Sequence, residues 1–253
     1  MRYELLPVGE QVIVITDAAS GIGLVTARRA AARGARVVLA ARSEHDLRTA
    51  CDEIRNAAGR AIFVVADVSN PKDVERIADA AVAEFGRIDT WVNTAAALMD
   101  GPIMDLRLED MRRQMEVNFW GQVHGSREAV SRMRRHGGAL INVASAPGRR
   151  AIPLQGIDCA AEHAVRAFTD TLRMELEADR VPISVSVVKP ARMDTPFFER
   201  AAADAVLRCA GKPTPEITPA RAGMRPAAAA TVAGLVALIV GAVAVANRMS
   251  PFE

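Results

Sequence analysis

Six short runs of nearly unbroken apolar residues, each followed by a longer helical pattern, constrain this chain more than any other feature. Residues 11–16 (QVIVIT), 36–40 (RVVLA), 61–66 (AIFVVA), 90–93 (TWVN), 139–143 (ALINV) and 183–188 (ISVSVV) read as strands. Helical patterns fill the intervals at 22–33, 43–58, 71–85, 108–135 and 157–179. A sheet with one wet face would alternate apolar and polar residues. Continuous apolar strands are instead covered on both faces, as in a parallel sheet whose crossovers are helices. Right-handed crossovers make such a sheet doubly wound, with ligands at the carboxyl ends of its strands.

The chain has 253 residues, half of them hydrophobic, enough for one sizeable core with a small appendage. With 32 basic and 30 acidic side chains, its formal net charge of +2 gives no reason to expect a nucleic-acid partner. The basic run RMRRHGG at 132–138 reads as the solvated end of a helix. Cys51, Cys159 and Cys209 are odd in number and unpatterned, which suggests reduced thiols. The N-terminal residues lack the apolar core of a signal peptide.

The organisation read from the sequence is a sheet domain over 1–205, a linker over 206–226, an apolar helix over 227–246 and a short tail over 247–253. Four prolines fall in GKPTPEITPARAGMRP at 211–226, the pattern of a linker. The 20 uncharged residues that follow are long enough to span a bilayer. Lys212, Arg221 and Arg225 precede this run and Arg248 follows, which places the main domain on the cytoplasmic side. Ala229, Ala233, Ala237 and Gly241 form a small-residue stripe suited to a second membrane helix. The competing reading makes the run a last core helix leading into a seventh strand, but no such strand follows it.

Several motifs fall in order on these elements. TDAASGIG (16–23) lies between the first strand and helix, and ADVS (66–69) follows the third strand. WVNTAA (91–96) ends the fourth, VNFWG (117–121) lies on a helix, INVAS (141–145) ends the fifth, and VVKPARMDTP (187–196) follows the sixth. Over roughly residues 8–200 the chain thereby resembles the short-chain dehydrogenase/reductase family. The resemblance implies a Rossmann-like fold and a nicotinamide dinucleotide held by Thr16, Gly21, Ile22, Gly23, Arg42, Asp67, Val68, Asn93 and Thr195. Arg42, just past the second strand, would favour the 2′-phosphate of NADP(H); an exposed arginine at a helix start is the alternative.

The same resemblance implies hydride transfer assisted by a tyrosine, a lysine four residues later, a serine and an asparagine. Ser145 and Asn118 match the last two. Counting from Ser145, the tyrosine position holds Asp158 and the lysine position holds Glu162. A carboxyl group has a reference pKa of about 3.9 against about 10 for a phenol, and Glu162 reverses the sign of the activating charge. Asp17 replaces the first glycine of the phosphate loop and puts a side chain, and a charge, near the pyrophosphate. Cys159 and His163, one turn apart beside Asp158 and Glu162, offer metal donors or a nucleophilic pair. One helix cannot aim all four at a point, so no metal is expected.

Three functions stay open on this evidence. The leading expectation is a catalytically inactive domain, binding no cofactor, that serves as a subunit of a membrane protein complex through its C-terminal helix. The others are an NADP(H)-dependent oxidoreductase with an unusual acid, and a dinucleotide sensor without turnover.

Overall fold

A computed structural model of the protein describes residues 4–144, 151–190 and 196–217, the first three residues of the last segment as backbone only. Seven strands form one sheet: β1 Val12–Thr16, β2 Arg36–Ala41, β3 Arg60–Val65, β4 Thr90–Asn93, β5 Gly138–Val143, β6 Ile183–Val188 and β7 Glu216–Ile217. Their order is β3-β2-β1-β4-β5-β6-β7, and every neighbouring pair is parallel. The helices are α1 Gly21–Ala31, α2 Glu44–Asn56, α3 Pro71–Phe85, α4 Leu108–Met115, α5 Gly121–Met133, α6 Gly156–Ala178 and α7 Pro196–Gly211. A turn of π-helix, Glu116–Trp120, joins α4 to α5.

Strand alternation sorts the core into two layers. Ile13, Ile15, Val37 and Leu39 pack with α1, α2 and α7 on one face; Val14, Val38, Trp91 and Leu140 pack with α3, α5 and α6 on the other. Local chemistry sets the helix ends. Asn70 caps α3 by accepting from the Lys72 amide, Pro71 opens the helix, and Gly86 stops it in the left-handed conformation.

Six strands were expected and seven are present. The stretch read as a linker from residue 206 holds the end of α7 and all of β7. The prolines concealed this strand because it lies at the sheet edge, where a missing N–H on the outer side costs nothing. Its inner side is satisfied: Val187 N donates to Pro215 O at 3.0 Å and Lys189 N donates to Ile217 O at 2.9 Å. Lys189, almost fully buried, pairs with Glu216 of β7 at 2.9 Å. The run at 227–246 lies outside the described residues; among those described, no helix is long and apolar enough to cross a membrane.

A polar cluster ties β4 and β5 to α5 and α6. Asn93 Nδ2 donates to Asn142 Oδ1 at 2.8 Å, Asn142 Nδ2 donates to Thr169 Oγ1 at 2.8 Å, and Trp91 Nε1 donates to Asn93 Oδ1 at 2.8 Å. These groups are buried and so depend on one another. Gly125 lets α5 approach: a Cβ there would lie 2.1 Å from Asn93 Oδ1 and 2.8 Å from Trp91 Nε1. Gly125→Ala should therefore cost about 1–3 kcal/mol by overpacking, lowering the melting temperature by about 2–4 °C for each kcal/mol. A thermal melt of Gly125→Ala matching that of the parent chain would contradict this packing.

Candidate active site

The strand order reverses beside β1, because the chain passes from β1 to β2 and β3 on one side and resumes at β4 on the other. The carboxyl ends of these strands diverge there and leave a cavity of about 140 Å³. It is lined by the end of β1 (Asp17), the end of β2 (Ala41, Arg42), the turn after β3 (Ala66, Asp67, Val68), Ala95–Ala97, and Arg113 and Val117 from the long helix.

The phosphate loop is shaped for close backbone approach. Gly21 opens α1 with φ of 51°, and a Cβ on Gly23 would stand 2.3 Å from the Asp17 carbonyl oxygen. Gly23 therefore belongs to the packing of helix against loop, and a Cβ on Gly21 would meet Glu199 Oε1 at 3.9 Å, in ordinary contact. Ile22 accepts from the Thr26 hydroxyl through its carbonyl. Thr16 knits β1 to β4: its hydroxyl accepts from the Thr94 amide at 3.1 Å, and its carbonyl accepts from the Thr94 hydroxyl.

Asp17 holds φ of 50°, in the left-handed region where glycine is at ease. Burial pushes its carboxyl above the ordinary carboxylate range, and Arg42 opposes that rise only in part. Across the cavity, Asp67 pairs with Arg113 at 2.5 Å, and Arg113 also donates to the Ser69 hydroxyl at 2.6 Å. Burial works against the Asp67 charge, but the Ser69 hydroxyl and amide and the Arg113 guanidinium hold its carboxyl below the usual range. Arg113 was missed by sequence reasoning. Nothing local marks one arginine of MRRQM as the partner of a turn 46 residues away.

The second part of the site lies along the π-turn. Asn118 Oδ1 accepts from Ala97 N at 2.6 Å, and its Nδ2 donates to Ala97 O at 2.9 Å and to Asp158 Oδ1 at 3.3 Å. A π-turn shifts side-chain register, and here it carries Asn118. Asp158, on the first turn of α6, is 7% exposed; Glu162, one turn on, is half-buried. Each of these acids has a polar partner.

Asn118 and Asp158 thus meet as the spacing implied, while Asn93 does not join them. Its amide is spent inside the cluster of β4 and β5. Ser145 and Thr195 lie outside the described residues. Cys159 and His163 form no nucleophilic pair: the imidazole Nδ1 contacts the Cys159 carbonyl at 2.7 Å. The three cysteines are buried and form no disulfide, and among the described residues no acid, cysteine and histidine cluster could hold a metal.

The cleft makes a prediction about stability. A carboxyl whose folded pKa is raised costs stability once ionised; the cost is absent below its unfolded value of about 3.9 and complete above the raised folded value. Asp17→Asn keeps a residue that tolerates positive φ and removes the charge. It should melt above the parent at pH 7, with the gap closing as pH is lowered toward about 3.9. A lower melting temperature for Asp17→Asn at pH 7 would contradict this account.

Comparison with known proteins gives this geometry its context. Residues 11–205 match the family described as short chain dehydrogenase. The chain is 48% identical over 202 residues to the uncharacterized oxidoreductase YxnA of Bacillus subtilis, covering 79% of this chain and 57% of that protein. It is 31% identical over 202 residues to a 3beta-hydroxysteroid dehydrogenase of Mediterraneibacter gnavus, covering 79% of this chain and 72% of that one. A crystal structure of a short chain dehydrogenase from Mycobacterium smegmatis superposes with a TM-score of 0.78 at 26% identity, over 88% of this chain and 98% of that chain. A metagenomic short-chain oxidoreductase solved in complex with NADP gives 0.75 at 27% identity, over 83% and 97%. These findings overturn the expectation of an inactive membrane-complex subunit, because the relatives named are oxidoreductases and the match includes the cleft. That expectation weighed two altered side chains and a tail above a site that still brings an acid to Asn118. The chain belongs to the short chain dehydrogenase family.

Proposed function

We propose that this protein is a nicotinamide dinucleotide-dependent oxidoreductase that interconverts a ketone and a secondary alcohol, with the Asp158 carboxyl in the place of the family's tyrosine. The observation that carries this reading is the buried Asp158 carboxyl held 3.3 Å from the Asn118 amide at the edge of the cleft. Gly21, Gly23 and the N-terminal end of α1 suit a pyrophosphate, and the cavity beside Asp67 and Val68 suits an adenosine. Arg42 is the cation available to a 2′-phosphate. The bound dinucleotide would supply or accept the hydride at the substrate carbon.

What the chain itself supplies is the proton. Asn118 Nδ2 donates to Asp158 Oδ1 and so holds the carboxyl that carries the proton. In the reducing direction that proton passes to the carbonyl oxygen; in the oxidising direction the carboxylate takes it from the hydroxyl. Donation requires the protonated acid. Asn118, locked to both polar groups of Ala97, keeps the acid oriented.

An apolar rim adjoins this acid. The segment that leaves Ala97 carries Leu98, Ile103 and Met104, the last 91% exposed. It returns against the turn before α6 and the helix's first residue, where Gly101 N donates to Leu154 O at 2.8 Å and Ile103 abuts Gly156. Such a rim suits a carbonyl on an apolar skeleton. The hydroxysteroid dehydrogenases among the relatives support the same choice.

Purified protein should oxidise NADH or NADPH in the presence of apolar cyclic ketones. Asp158→Asn should lower kcat by about 100-fold or more with little change in dinucleotide affinity. Turnover unchanged in Asp158→Asn would remove the carboxyl from the mechanism. Dinucleotide binding without turnover of any ketone or alcohol would replace the enzyme with a sensor. Membrane attachment through 227–246 is a separate proposal from the sequence alone, tested by whether the full chain sediments with membranes after a high-salt wash.

A further inference from the structure

We propose that Asp17 sets the dinucleotide preference of the cleft by opposing a phosphate at Arg42, so that a free 2′-hydroxyl is accepted at least as well as a 2′-phosphate. The inference rests on the dinucleotide reading above and concerns which dinucleotide the cleft takes.

Asp17 and Arg42 are neighbours by construction. β1 and β2 pair in parallel with Thr16 opposite Ala40, so Asp17 leaves β1 beside the end of β2 where Arg42 follows Ala41. Ala18 N donates to Ala40 O at 3.1 Å, and the Asp17 carbonyl faces Gly23 with no room for a Cβ. The backbone at Asp17 is thus fixed from two sides, and its side chain lines the same cavity as Arg42. The two charges interact: Arg42 draws the buried Asp17 carboxyl back toward its ordinary range.

The charge balance of the cavity then decides the outcome. Four charged residues line it: Asp17, Arg42, Asp67 and Arg113. Arg113 is committed to Asp67 and Ser69, so that pair offers no spare positive charge. The remaining pair, Arg42 and Asp17, cancels. A 2′-phosphate entering here gains the guanidinium and meets the carboxylate. A 2′-hydroxyl can donate to that carboxylate, the role an acid at the end of the second strand plays in NAD-binding sheets. Here the acid comes from the glycine loop, one strand over.

The test is titration of NADH and of NADPH into the full chain and into Asp17→Asn, followed by reduced-nicotinamide fluorescence, with no substrate present. The parent should bind NADH at least as tightly as NADPH. Asp17→Asn should tighten NADPH about tenfold while changing NADH less than about threefold. Asparagine accepts the positive φ, and matching circular dichroism of the two proteins establishes that the fold is unchanged. An unchanged NADPH-to-NADH ratio in Asp17→Asn overturns the proposal whichever dinucleotide the parent prefers, and leaves the oxidoreductase reading in place. If neither dinucleotide binds either protein, the oxidoreductase reading falls and this inference falls with it.

Discussion

The parallel pairing of β1 with β2 on one side and β4 on the other is the constraint on which the rest of the molecule depends. Because the chain turns away from β1 in two directions, the helices after β1 and β4 lie on opposite faces and a cleft opens between their loops. Asp17, Arg42, Asp67 and Asn118 are far apart in sequence, and each sits within or just beyond a connection that leaves the same edge of the sheet. α6 runs back along β6, so its first turn brings Asp158 to that edge as well. Any chemistry here is a consequence of strand direction before it is a consequence of side chains.

Much of this was legible because the evidence for parallel strands is local. Six apolar runs mark β1 to β6 to within a residue or two, and five helical patterns mark α1, α2, α3 and α6, with one pattern covering both α4 and α5. What was illegible depends on tertiary position. β7 needs only two residues because one edge of it is paired, and its flanking prolines signal a linker to any local reading. α7 was lost for a related reason: its alanine-rich sequence carries little periodic contrast, and its burial comes from packing on α1 and the sheet.

The site shows the same division. The positions of Asn118 and Asp158 follow from known motifs, whereas their contact, and that of Arg113 with Asp67, come from a fold that no window of sequence contains. Asn93 keeps its place in the motif, and its side chain lies in the cluster of β4 and β5. Strand pleat puts Trp91 and Asn93 on one face of β4, and that face meets α5, so the amide serves the indole and Asn142 in place of a ligand. A motif fixes a residue's address; the pleat fixes what its side chain can touch.

The carboxylates at the two ends of the cleft then have a common physical meaning. Asp17 in the cavity with Arg42, and Asp158 with Glu162 at the start of α6, are all at least half-buried, where a lone negative charge is costly and a hydrogen-bond donor or a cationic neighbour is favoured. Their ionisation therefore depends on what lies beside them. A cationic nicotinamide ring and a neutral reduced one would present different surroundings to Asp158, and a phosphate and a hydroxyl would do the same to Asp17. In the proposed oxidoreductase each ligand state would change the charge around these carboxyls, so binding and protonation would be linked.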